Sequence, residues 1–194
     1  METEESIIID ESTPAPERIG FGKRLGAYLL DVVIATIGGI ILGIFAGATL
    51  VGLFLINTAE EGIDEADAIG GGMMGMVGGM MGTMAGIIVM MLIIMLIEAI
   101  TGQTFGKMIL GYVDGSENGT KASLNSLITR ALIKYIGFVM LLLAGLTTLG
   151  SLVTIGRILG LIVFIGFFFI LGEKKQGFHD FIAKTAVYNK SDLP

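Results

Sequence analysis

The chain has 194 residues, of which 53% are hydrophobic, only 15% are charged and 30 are glycine, and its formal net charge is −6. A mean hydropathy of +0.84 excludes an ordinary soluble domain, which needs about a quarter of its residues charged, and excludes disorder, which goes with few apolar residues. The lack of cysteine removes disulfides, iron–sulfur clusters and thiolate zinc sites, and the acidic balance argues against nucleic acid as a partner. What remains is a membrane protein whose first partner is the lipid bilayer.

Residues 1–20 open as METEESIIIDESTPAPE, acidic where a signal peptide would be basic, with Pro14 and Pro16 breaking regular structure. They read as a flexible acidic tail, and the first span is expected to stay in the mature protein. A bilayer crossing takes about 20 apolar residues with every backbone group bonded internally. The first such stretch runs over about residues 25–56 and carries Gly39, Gly43 and Gly47 four apart on one helix face. A loop with Glu60, Glu61, Asp64, Glu65 and Asp67, and no Lys or Arg, leads to the second, about residues 72–97. There Gly71, Gly75 and Gly79, and then Gly78, Gly82 and Gly86, repeat the same spacing. Small residues so placed let two backbones approach closely, so the first two helices are predicted to form a tight hairpin. The stretch 70–82 is glycine-rich enough to be frayed. Nine of the twelve methionines lie between Met73 and Met95. Clustered thioethers suit Cu(I), but no Cys or His lies nearby, and methionine also fills irregular gaps beside glycine. No metal and no cofactor is expected.

Two acids sit at or within these spans. Asp31, in KRLGAYLLDVVIA, lies two helical turns beyond Arg24 and is costly in lipid without compensation. Arg130 and Lys134, one turn apart, are candidate partners. The residue is read either as half of a buried ion pair that sets helix register or as a transport group. Glu98, at the end of the second span, is expected to snorkel to the headgroups.

The segment after it, TGQTFGKMILGYVDGSENGTKASLNSLITR, has the glycine spacing of a phosphate loop. It fails as one because Lys107 is followed by Met and not by Ser or Thr. It is predicted to form a turn, a surface-lying apolar piece over residues 108–113, a tight turn over 114–119, and a helix capped by Ser123. The apolar run 135–172 is too long for one crossing. A break near Thr147–Ser151 divides it into spans of about 131–146 and 152–171, with Arg157 reaching the outer interface. In the closing segment His179 and Asp180 are neighbours whose side chains diverge by about 100° in a helix. They are not a catalytic pair by themselves, and His179 is expected to bond to the GQTFGK loop. No arrangement of nucleophile and base is evident, so no enzyme activity is expected.

Eleven of the twelve basic residues fall on the side of the two termini, and the acidic loop falls on the other. The positive-inside rule then puts both termini in the cytoplasm. The expected fold is all-α, an integral membrane four-helix bundle in the cell membrane with short amphipathic cytoplasmic elements.

Three separated blocks, GFGKRLGAYLLD, GQTFGK and HDFIAKTAV, lie in order between these spans. Together they resemble the RDD family of membrane proteins over about residues 21–188, leaving 189–194 as a tail. The resemblance matches Arg24, Ala27 and Asp31 to the first block and Gly102, Thr104, Gly106 and Lys107 to the second, with Arg130 as a later helix arginine. His179 and Asp180 fall in the third. The aromatic residue usual just before the arginine is replaced by Gly22 and Lys23. The resemblance implies transport of ions or small solutes, including cation/proton exchange, with a small cation or solute as ligand. Four spans enclose little space, so such a role calls for a homo-oligomer. The other function considered is a non-transport accessory or scaffold protein that binds other membrane components.

Overall fold

A computed structural model describes residues 16–58 and 65–193 of the chain. The expectations for residues 1–15, for Glu60, Glu61 and Asp64, and for the side chains of Glu65 and Asp67 fall outside the described residues.

Two long helices come first, α1 (Phe21–Thr58) and α2 (Glu65–Thr101). Each runs roughly 55 Å at about 1.5 Å per residue, well beyond the hydrocarbon thickness. Both are apolar enough to cross a membrane, and they pack antiparallel through glycine faces. A methyl group on Gly47 would stand 3.0 Å from the Cα of Gly79. On Gly43 it would strike the backbone of Thr83, on Gly39 that of Ile87, and on Gly82 the carbonyl of Gly43. Gly75 takes the side chain of Val51. The glycine-rich start of α2 is continuous helix and not frayed, because the partner backbone supplies the packing that propensity lacks. Met73, Met76, Met80, Met81 and Met84 point away from this seam and are exposed. They therefore do not fill gaps in the seam, whereas Met90 does so against Gly38.

The chain then turns through Gly102, at φ +67°, into a short helix α3 (Phe105–Leu110), and Gly111 ends it in the left-handed conformation. A strand β1 (Tyr112–Ser116) follows and pairs antiparallel with β2 (Thr185–Asn189), Asp114 opposite Val187. The expected surface-lying piece at 108–113 is therefore part helix and part strand, and the turn falls at Ser116–Gly119, not from Asp114. Pairing between segments some seventy residues apart leaves no local trace, although the β-branched and aromatic residues of TAVYN suit a strand. The N-terminal segment joins in, Ile19 donating to the carbonyl of Val187 at 2.7 Å. Residues 18–20 are thus fastened to the fold and are not tail. The same holds at the other end, where Lys190 donates to Gly111 O.

Ser123 caps α4 (Leu124–Lys134) as expected. The helix bends by 68° at Tyr135 into α5 (Ile136–Thr147). The expected span over 131–146 is thus two helices, an amphipathic one and a wholly apolar one of 12 residues. α5 turns back at Thr148 into α6 (Gly150–Phe167), which a 3₁₀ turn extends to Leu171. Gly137 meets Gly156 and Gly160 across this second hairpin. A last helix, α7 (Phe178–Ala183), precedes β2.

The molecule is mainly helical, with three apolar spans, or four if α4 and α5 count as one. Its two hairpins hardly touch along their lengths. Phe21 stacks on Phe168 and meets Phe167 at a tilt where they converge, and the polar elements join them there. Within one copy, the described residues form two hairpins under a common cap, not a closed four-helix bundle.

Candidate functional site

The cap is built around buried charge. Arg130, on the inner face of amphipathic α4, is 3% exposed. Its Nε donates to Asp180 at 2.6 Å, and its Nη1 to Glu98 at 2.6 Å and to Asp114. Lys107 Nζ, projecting from α3, donates to Glu98 and Asp114 at 2.7 Å each. Lys134, one turn beyond Arg130, donates to both oxygens of Glu98, at 2.9 and 2.6 Å, and the Tyr135 hydroxyl donates to Glu98 at 2.8 Å. Arg24, at the start of α1, pairs with Asp180 and donates to the carbonyls of Ile19 and Lys175. α1, α2, α3, β1, α4 and α7 thus each contribute at least one charge to a single network.

Each element is shaped for that contribution. Thr104 caps α3, accepting from Lys107 N at 3.2 Å, and so aims the lysine inward. Gly106 lets α3 lie against α1, since a methyl group there would strike the carbonyl of Ala27. Asp180 accepts the Gly177 amide at 3.1 Å at the start of α7, which presents its carboxylate to both arginines. Burial alone would raise the Asp180 carboxyl. Arg130 and Arg24 beside it outweigh that and hold it well below the usual carboxylate range.

His179 is 3% exposed, and burial pushes it down to about 3 despite the neighbouring carboxylate. It is neutral near pH 7. Its Nε2 lies 3.4 Å from Asp180 Oδ1, and its Nδ1 has no hydrogen-bond partner among the described residues. The expected bond to the GQTFGK loop is not formed, because β1 and β2 draw α7 toward the arginines.

Asp31 stands apart. Arg130 and Lys134, its expected partners, are taken by Glu98, Asp114 and Asp180, and Asp31 makes no ion pair among the described residues. Its Oδ1 accepts the backbone N–H of Gly106 at 2.7 Å. It is half-buried and lines a cavity of about 50 Å³ with Arg24, Tyr28, Lys107, Arg130, Lys134 and His179. Glu98, expected at the headgroups, is instead 1% exposed at the centre of the network. Asp114 was concealed by the Asp-Gly pair that reads as a turn, and Tyr135 by its place at the start of an apolar run. Arg157 is exposed on α6, remote from this cluster in sequence and outside its ion pairs.

Among the described residues no group of three or more His, Asp or Glu side chains is placed to hold a metal ion. Chemically, the arrangement offers a densely paired charge frame beside one carboxylate that no cation among the described residues pairs with.

A model of the RDD family matches residues 18–184 of the chain. No curated protein and no solved structure matches it.

Proposed function

The chain belongs to the RDD family, and from that premise we propose that it is an ion-exchange protein of the cell membrane in which Asp31 alternately carries a proton and a small cation. The observation that carries this reading is the contrast between Asp31 and its neighbours. Glu98, Asp114 and Asp180 are each tied to two or more cationic or hydroxyl groups. Asp31 is held by one backbone amide and faces a cavity, so its remaining lone pairs are open to an exchangeable ion.

In this reading the chain crosses the membrane four times, α4 and α5 together making the third crossing. The cap and both termini lie in the cytoplasm, and the acidic loop lies outside, a placement that the distribution of basic residues supports. Two hairpins that scarcely meet enclose no path, so the working unit is a homo-oligomer in which a second copy fills the space between them. The protein acts without covalent chemistry and is not an enzyme. Purified protein in proteoliposomes should show cation-dependent proton flux that Asp31→Asn abolishes and Arg157→Gln preserves. Flux that persists in Asp31→Asn removes the residue from the mechanism.

The dense ion pairing of the network favours a second reading, that of an accessory or scaffold protein, because nothing in it needs to move. That reading expects no flux and a co-purifying membrane partner that is lost in Gly43→Leu.

A further inference from the structure

The charges of the cap do not balance without Asp31. Four cations, Arg24, Lys107, Arg130 and Lys134, meet three carboxylates, Glu98, Asp114 and Asp180, in the ion pairs. His179 adds no charge near neutral pH. One positive charge is therefore left over, and Asp31, across the shared cavity, is the acid placed to offset it. The exchange reading has Asp31 neutralised in each half of its cycle, by a proton or by a cation. Either event leaves a surplus positive charge in a buried site, which is costly unless a counter-charge enters.

The cavity is fitted to supply one. Arg130 makes no hydrogen bond through Nη2 among the described residues, although Nε and Nη1 are both engaged. Lys134 is the most open cation of the cluster, with a side chain 23% exposed. Arg24 and Lys107 complete the cationic lining, and Tyr28 places a hydroxyl-bearing ring there. A volume of about 50 Å³ holds about three or four waters at about 15 Å³ of such volume each. That is room for a halide with a water or two and too little for a phosphate ester.

We propose that the cavity lined by Asp31, Arg130 and Lys134 is a binding site for a small monovalent anion, taken up together with a proton on Asp31. The proposal rests on the exchange reading of Asp31 and adds a co-bound anion to it. Every charged or titratable group on the cavity wall is involved: Arg24, Tyr28 and Asp31 from α1, Lys107 from α3, Arg130 and Lys134 from α4, and His179 from α7. With Asp31 ionised, its charge repels the anion. With Asp31 neutral, the cationic wall is left without its counter-charge and attracts it.

The test is calorimetric titration of the full chain in lipid nanodiscs with sodium chloride, and with sodium gluconate as the oversized control. It is run at pH 5.5 and 8.0 in two buffers of different ionisation enthalpy. The expected result is chloride binding accompanied by uptake of one proton, with apparent affinity falling about tenfold per pH unit on the alkaline limb. Asp31→Asn keeps the acceptor for the Gly106 amide while removing the charge, so it should bind chloride equally at both pH values with no proton uptake. Lys134→Gln, at the most open cation, should weaken chloride binding at least tenfold. No chloride heat in the wild type at pH 5.5, or the same pH dependence in Asp31→Asn, overturns the proposal. Equal heats for chloride and gluconate overturn it as well. The exchange reading is separated by flux: Asp31-dependent proton flux that is unaltered when gluconate replaces chloride leaves exchange standing and removes the anion. Linked chloride binding without any flux does the reverse.

Discussion

Arg130 is the residue on which the cap depends, since three carboxylates from α2, β1 and α7 all accept from its one guanidinium. Removing one partner from a buried charge cluster strands the others and costs roughly 3–5 kcal/mol. Arg130→Met should therefore lower thermal stability in detergent by about that amount, measured by circular dichroism. Arg130→Lys should recover only part of it, because an ammonium cannot hold the same fork of donors. His179 sets the response to acid. Its native value of about 3 lies below the value of about 6.5 for an unfolded histidine. The unfolded chain thus binds a proton that the native state refuses, and stability falls as pH drops from about 6.5 toward 3, by roughly 1.4 kcal/mol per unit. Asp180, also held low in the native state, adds its own loss as pH falls below about 3.8. Melting curves at pH 7 and pH 5 should separate for the wild type, and His179→Phe should bring them closer together. An unchanged gap would assign the acid response to other groups.

Among the elements, α3 couples the cap to the first hairpin. It has only six residues, too few to be stable alone. Its Thr104 cap, its contact with α1 and the ion pairs of Lys107 hold it in place. Gly106→Ala puts a methyl group into the Ala27 carbonyl and displaces the amide that binds Asp31. It should destabilise the protein by about 1–3 kcal/mol and raise hydrogen exchange in residues 102–111 ahead of the rest of the chain, as read by mass spectrometry. Uniform exchange would mean that α3 is not a separate unit. The bend at Tyr135 has a similar logic. α4 turns its polar face to the network and exposes Leu124, Ile128 and Leu132, while α5 is apolar all round and suits the lipid.

At the scale of the whole molecule, two glycine-seamed hairpins hang from one polar end. That design expects a single sidedness. The native chain has no cysteine, so single cysteines report cleanly. Ser191→Cys should react with an impermeant maleimide only from the cytoplasmic face, and Glu61→Cys only from the outer face. Labelling of both from one face would refute the orientation proposed here and leave the fold untouched.

Much of this was legible in the residues. The apolar runs place the long helices, and four-residue glycine spacing marks the seam of the first hairpin, because both are periodic signals carried by consecutive residues. Ser123 as a helix cap and the grouping of three motif blocks are visible for the same reason. Which charges meet is not local information. Asp31 sits two helical turns from Arg24, yet Arg24 binds Asp180, 156 positions away, and Glu98 reads as a headgroup acid until α3 and α4 fold over it. The order of residues determined a multi-pass membrane chain and its periodic seams. Only tertiary structure decided the pairing of cations and acids, because a buried charge takes whichever partner the packing of distant elements brings within reach.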